Sequence, residues 1–227
     1  MAKRSKSKKS RQQKLNESKQ RESRMRWIRV GGLIILAAAA LGIFGFYRTS
    51  SAPAVDAPTE VMAENVLGPV DAPVRIVEFG DLGCPACRQW HNSGIKERLL
   101  ARFEGQINFT FRHFPVITRD SPKAAEAIQC AAKQDRFWQY HDFVYEQTSL
   151  AALSNSELKS YALAVGLDGE QFNQCLDSGK FRDYVSRDQS AAVAAGARGT
   201  PTFYINGDIA GFSYDDMEAK ILAELGS

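Results

Sequence analysis

Two cysteines, Cys84 and Cys87, stand where thiol–disulfide chemistry is possible. They lie in Gly83-Cys84-Pro85-Ala86-Cys87, just after the apolar run Val74-Arg75-Ile76-Val77-Glu78-Phe79. That run reads as a central strand buried on both faces, and Pro85 suits the first position of a helix, where its missing N–H costs nothing. A cysteine at such a junction meets unpaired N–H groups and the positive end of a helix dipole, and both favour a thiolate. A second cysteine one turn further on can reach the first and close a small ring. A lone Cys-x-x-Cys is equally compatible with a metal site, so the rest of the chain has to decide.

Glu78 is a carboxylate within the buried strand, six residues before Cys84. Such a group is costly unless it is used. Two readings are open: a proton acceptor or relay beneath the cysteines, or a strand-end residue that reaches solvent. His91, four residues past Cys87 on the same expected helix, could serve as a third ligand in a site handling copper or another soft metal. His113 and His141 are expected elsewhere, and zinc wants four ligands, so metal handling is the rival reading and no metal is assigned. Cys130 and Cys175 fall in different expected helices. They are either a second redox pair or a structural disulfide, and the structural link is expected. An even set of four cysteines suits an oxidising compartment.

The elements that must position these groups occupy the later part of the chain. Its 227 residues, 44% hydrophobic, suffice for one substantial core with chain to spare. Charge is uneven: residues 1–30 carry twelve Lys/Arg against two Asp/Glu, a balance of +10, and the remainder carries 17 against 24, a balance of −7, giving the overall +3. A basic tail on an acidic domain argues against nucleic acid as the partner of the whole chain. There is no phosphate-binding glycine loop, no Ser/His/Asp spacing and no internal repeat.

Residues 1–26 read as a basic, disordered cytoplasmic tail. Residues 27–47 read as a transmembrane helix: Val30 to Tyr47 holds eighteen residues without a charge, and Trp27 and Tyr47 flank it as interfacial aromatics. The positive-inside bias then places the domain outside the cell membrane as a single-pass, N-terminally anchored protein. A cleaved signal peptide is the alternative, but proline follows both candidate cleavage residues, Ala52 and Ala57. Residues 48–64 read as a flexible linker and 65–227 as the exported domain.

Within that domain the expected order is a short edge strand at 65–67, the strand 74–79, one long helix from Cys84 to about Phe103, and a strand over 106–114. A helical block follows at about 120–196. It includes a capping-box start at Ser154 and Glu157, and an aromatic group at 137–145 that reads as core packing. A hairpin turning at Asn206-Gly207 and a closing helix over 214–225 complete the chain. Pro201 enters the first hairpin strand, where it cannot donate a ladder hydrogen bond. A cis Thr200–Pro201 bond would explain its presence and leave backbone free to bind an extended peptide.

Several stretches together resemble the DsbA-like branch of the thioredoxin superfamily, in its membrane-tethered bacterial form. They are Asp71-Ala72-Pro73-Val74, Val77-Glu78-Phe79-Gly80-Asp81, Cys84-Pro85-Ala86-Cys87-Arg88, Phe137-Trp138-Gln139-Tyr140-His141-Asp142 and Gly199-Thr200-Pro201-Thr202-Phe203, covering about residues 62–226. The resemblance implies an α/β thioredoxin fold carrying a helical insertion. It implies that Cys84 is the nucleophile, Cys87 the resolving cysteine, Pro201 the facing cis-proline beside substrate-binding Thr200, and Glu78 the buried acid. It also implies reduced exported proteins as substrates, a membrane quinone-linked partner (DsbB-like or VKOR-like) that reoxidises the pair, and no cofactor. An isomerase or reductase of the same fold is the alternative. One departure stands out. The most oxidising members carry histidine where this chain has Ala86, so a less extreme potential is expected.

Overall fold

The computed structural model describes residues 63–147 and 153–226. The expected basic tail, transmembrane span and nearly all of the linker lie outside the described residues. Among the described residues no helix is long and apolar enough to cross a membrane. Among the described residues, a 3-10 turn at Ala63–Asn65 takes in the last two residues of the expected linker, and Asn65 is buried.

Five strands form one sheet in the order β1-β3-β2-β4-β5. β1 is Val66–Leu67, β2 Val74–Gly80, β3 Ile107–His113, β4 Thr202–Ile205 and β5 Asp208–Ala210. β2 runs parallel to β3, Val77 opposite Thr110, and antiparallel to β4, Val77 opposite Tyr204. β2 is thus covered on both edges and both faces, which accounts for its nearly unbroken apolar run. Alternation divides its side chains. Val74 and Ile76 pack with Trp90, Phe109, Phe203 and Ile221, whereas Val77 and Phe79 pack with Tyr204 and Ala192 on the opposite face. The hairpin turns where expected, Asn206 and Gly207 both taking positive φ (48° and 89°), as a two-residue turn of this hand requires.

The expected single helix from Cys84 to about Phe103 is in fact two. α1 spans Pro85–Asn92 and α2 spans Ile95–Arg102. Gly94, at φ 73°, sits between them in the left-handed region, which stops the first helix and starts the second in a new direction. The insertion follows as α3 (Ser121–Ala132), α4 (Phe137–Glu146), α5 (Asn155–Ala164), α6 (Gly169–Ser178) and α7 (Arg182–Ala195), and α8 (Tyr214–Glu224) closes the domain. The capping box at Ser154 and Glu157 is formed. Phe137, Tyr140, Val144 and Tyr145 of α4 are buried in the core of the helical block.

Candidate active site: the Cys84–Cys87 dithiol

β2 delivers the chain to the site and Asp81 fixes the turn that follows. One Asp81 carboxylate oxygen accepts the N–H of Gly83 at 2.7 Å. The other accepts the N–H groups of Val116 and Ile117, each at 2.8 Å. The Asp81 carbonyl accepts the Cys84 N–H at 2.9 Å and the Tyr145 hydroxyl at 3.1 Å. One residue therefore ties the cysteine turn to the loop after β3 and to α4. Gly83 has no room for a side chain, since a Cβ there would lie 2.6 Å from Ser121 Oγ.

Cys84 is the N-cap residue of α1, in extended conformation with Pro85 directly after it. The two cysteines are free thiols. Their environments pull them apart. The Cys84 thiol is held down to about 6, chiefly by a hydrogen bond from the Cys87 thiol, with help from the backbone N–H groups of Cys87 and Ala86, against the opposing effect of burial. Its sulfur also lies 3.2 Å from the Thr200 carbonyl oxygen, which can accept from the thiol but offers nothing to the thiolate. Cys87 goes the other way. Burial, the hydrogen bond it gives to Cys84 and the nearby charges of Glu78 and Cys84 push its thiol far above the ordinary range. A thiolate beside a hydrogen-bonding thiol is the pairing that attack and resolution require.

Thr200–Pro201 is a cis peptide, as expected, and its Thr200 carbonyl is the group beside Cys84. Thr200, Pro201, Ala86, Trp90 and Phe212 line a groove of about 460 Å³ next to the thiols. Phe212 is 68% exposed at its rim. The Trp90 indole N–H donates to the Phe212 carbonyl at 2.8 Å, tying that rim to α1.

Glu78 does not reach solvent. It is fully buried, with Oε2 2.9 Å from His91 Nε2. Of its two open readings, the strand-end one is overturned: the side chain lies on the α1 face of a fully covered strand. His141, expected elsewhere, is likewise at the site, its ring centroid 4.4 Å from that of His91. His91, His141 and Asp142 bring ligand atoms within 4.8 Å of one another, and neither cysteine belongs to this group. The surroundings suit a cation poorly. Lys96 Nζ is 3.0 Å from Asp142 Oδ1, and His91 Nε2 is engaged by Glu78. The rival reading, a metal held by the cysteines with His91, finds no support in this arrangement.

Cys130 and Cys175 form a disulfide, S–S 2.05 Å, joining α3 to α6 across 45 residues. The expected structural link is therefore present, within the insertion.

Sequence reasoning missed the roles of Asp81, His141 and Asp142, and it considered His91 only as a metal ligand. A signal for His91 was available. It lies four residues past Cys87, one turn along the same helix face, and that face must meet β2, where Glu78 waits.

A thiolate at a helix start, a buried partner thiol and a cis-proline across a groove define the class of a thioredoxin-fold thiol–disulfide oxidoreductase. The comparisons with known proteins agree. The thioredoxin family model described as "Thioredoxin" matches residues 60–222. The chain is 36% identical over 170 residues to the probable disulfide bond formation protein D of Bacillus cereus, taking in 70% of this chain and 77% of that protein. The crystal structure of oxidised BdbD from Bacillus subtilis superposes with a TM-score of 0.66 at 29% identity, over 72% of this chain and 93% of that one. Chlamydia trachomatis DsbA shares the fold with a TM-score of 0.65 at 19% identity, over 71% of this chain and 91% of that one. The chain is also 37% identical over 178 residues to the Na(+)/H(+) antiporter NhaA of Herminiimonas arsenicoxydans, but spans 28% of that longer protein and 78% of itself. The chain belongs to the DsbA-like branch of the thioredoxin superfamily, a family of thiol–disulfide oxidoreductases.

Proposed function

We propose that this chain oxidises thiols of exported proteins through a Cys84–Cys87 disulfide, with its catalytic domain outside the cytoplasm. The observation that carries the direction is the asymmetry of the sulfurs. Cys84 is held down to about 6 while Cys87 is pushed up, so the reduced form is stabilised as a thiolate and the oxidised form is the better electron acceptor.

In the mechanism a substrate thiolate attacks Cys84 in the oxidised pair. The S–S bond breaks and its electron pair goes to Cys87, which takes up a proton. A second substrate thiolate then attacks the substrate sulfur of the mixed disulfide, and Cys84 leaves as a thiolate. The substrate is oxidised to a disulfide and the enzyme is reduced. Pro201 and Thr200 hold the substrate as an extended segment along the groove, and Glu78 serves the proton of Cys87.

A membrane quinone-linked partner, DsbB-like or VKOR-like, reoxidises the pair. The span at 27–47 anchors the chain with residues 1–26 in the cytoplasm. The Bacillus cereus relative is named for disulfide bond formation, a chemistry that suits an oxidising compartment. The antiporter relative adds nothing on ion transport, since only 28% of it is matched.

Equilibration of the full chain against graded ratios of reduced to oxidised glutathione tests the direction. The expected potential lies between those of the strongest oxidant of the family and thioredoxin, about −120 and about −270 mV. A value at the thioredoxin end would make the protein a reductase and sink the oxidase reading.

A further inference from the structure

Two arginines stand beside the dithiol with nothing to hold. Arg119, in the loop after β3, and Arg198, in the loop before β4, are both exposed. Among the described residues neither guanidinium makes a hydrogen bond, an ion pair or a ring contact. Their backbone neighbours nevertheless touch the cysteine turn. Thr118, directly before Arg119, packs so closely on Gly83 that a Cβ there would lie 2.9 Å from its side chain. Arg198 precedes by two residues the Thr200 whose carbonyl oxygen lies 3.2 Å from the Cys84 sulfur. Two residues of chain span at most about 7 Å, so one cation stands on the Gly83 side of Cys84 and the other on its Thr200 side.

Such idle cations are out of keeping with the domain around them. Past residue 30 the chain carries 17 Lys/Arg against 24 Asp/Glu, and elsewhere cations find acids: Arg112 takes Asp188, Lys96 takes Asp142, and Lys159 takes Asp177. An exposed arginine in water has no need of a partner. Place gives these two a meaning, because any molecule that exchanges with Cys84 must sit over the ground they flank.

The other charges at the site leave that ground positive. Asp81 is buried and spent on three backbone N–H groups, and Glu78 is buried against His91. Arg88, one residue past Cys87, adds a third cation, its guanidinium 3.5 Å from the Glu146 carbonyl. Asp120 and Glu146 are the exposed acids beside Arg119 and Arg88, and no acid adjoins Arg198 in the chain. Two further acids, Asp215 and Asp216, open α8 beyond the Phe212 rim, on the far side of the groove.

We infer that Arg119 and Arg198 select thiols flanked by carboxylates, so that the preferred substrate cysteines lie in acidic segments of reduced proteins. Guanidinium presents a planar fork of donors that matches a carboxylate with two parallel N–H···O bonds. In a segment extended along the Thr200–Pro201 groove, the neighbours of the reacting cysteine follow at about 3.3 Å per residue, one or two steps from the arginines. A carboxylate beside a cysteine also raises its pKa and thins its thiolate, and a facing cation relieves that handicap. The two arginines are specificity-determining residues and take no part in the exchange itself. The inference deepens the oxidase reading and rests on it.

The test is single-turnover reduction of the oxidised full chain by three blocked pentapeptides, followed by tryptophan fluorescence. Each has one central cysteine, flanked on both sides by Asp, Asn or Lys, and rates are expressed per thiolate from each peptide's measured pKa. At about 0.01 M ionic strength, where charges act over about 30 Å, the Asp peptide should react about 5-fold faster than the Asn peptide, and the Lys peptide more slowly than either. At about 1 M salt, where they act over about 3 Å, the three rates should converge. In the double variant Arg119→Gln/Arg198→Gln the spread should shrink to within about twofold, with the Asn peptide keeping its wild-type rate. Equal rates at low salt, a preference for Lys, a preference that survives 1 M salt, or a double variant that slows all three peptides alike each overturn the inference. The salt series on the wild-type chain decides it even without the variant. Cys84→Ser separates the two readings. If it is inert and the Asn peptide reduces the wild type, the redox reading stands whatever the charge series shows; if Cys84→Ser still exchanges, that reading falls first.

Discussion

The chain holds two pairs of cysteines in one domain, and they have opposite chemistry. Cys84 and Cys87 are free and sit at the start of α1. Cys130 and Cys175 are joined and lie well inside α3 and α6. Burial does not mark out the reactive sulfur, because Cys84 is only 3% exposed and Cys130 only 1%, while Cys175 is partly buried. Position does. A sulfur at a helix N-cap has unspent N–H groups to stabilise its anion, whereas within a helix those groups are already bonded to the preceding turn. The neighbours differ too: Cys84 faces Thr200 and a groove, while Cys130 faces Phe, Leu and Ala side chains of the helical core.

That contrast breaks if the wrong pair proves essential. Cys84→Ser should abolish oxidation of a reduced model protein, a loss of at least about 10³-fold. The double variant Cys130→Ser/Cys175→Ser should keep the rate within about twofold. Its cost should appear in urea unfolding instead, where it should lose roughly 4 kcal/mol, the chain-entropy value for a loop of 45 residues. A double variant that unfolds like wild type but has lost its activity would reverse the roles assigned to the pairs.

Asp81→Ala probes what holds the reactive pair in place. The carboxylate accepts three backbone N–H groups, and two of these come from across the loop at Val116 and Ile117. Stranding them should cost about 3 kcal/mol of stability by urea titration, with a slower exchange rate as the turn loosens.

The order of elements was legible in the sequence because each rests on a local signal. An apolar run bounded by Pro73 and Gly80, a proline after Cys84, the Ser154 and Glu157 box and the Asn206-Gly207 turn need no distant partner to be read. The break at Gly94 was missed because a glycine within an amphipathic pattern is tolerated as often as it terminates. The floor of the site was illegible for another reason. Glu78, His91 and His141 come from three elements and meet only after the insertion docks, so His141, 50 residues past His91, gave no local sign of that meeting. Asp81 was visible as the last residue of a stretch that carries the family resemblance, but two of its three acceptances depend on where the loop after β3 comes to lie.

Acidity gives a subtler test of the reactive pair. A cysteine whose folded value is depressed stabilises the fold above the unfolded value, about 8.5, and loses that contribution as pH falls through the folded value. For Cys84 the window therefore runs from about 8.5 down to about 6, and the raised Cys87 opposes it only above about 8.5. The reduced protein should lose stability relative to the oxidised protein as pH is lowered across it. His113 and His141, pushed down to about 4 and about 3 chiefly by burial, destabilise the fold below the ordinary histidine value in both redox forms, so they cancel from the difference. Denaturant midpoints of both forms at matched pH supply the measurement. A difference that stays flat between about pH 6 and 8.5 would mean that Cys84 is not depressed.

The smallest expected effect lies at Ala86, which is exposed in the first turn of α1, beside Cys84. Ala86→His adds a donor and, when protonated, a positive charge where the thiolate forms. An exposed charge of this kind at a helix terminus contributes about 1 kcal/mol, or about 20 mV in a two-electron couple. The potential should therefore move by that much toward the oxidising side in glutathione equilibration, and the gain should fade as the imidazole deprotonates above about pH 6.5. The variant also separates two sources of the pair's direction. If it lowers the Cys84 value and leaves the potential unchanged, thiolate stabilisation does not set the direction, and the contrast with Cys130–Cys175 must rest on the burial of Cys87.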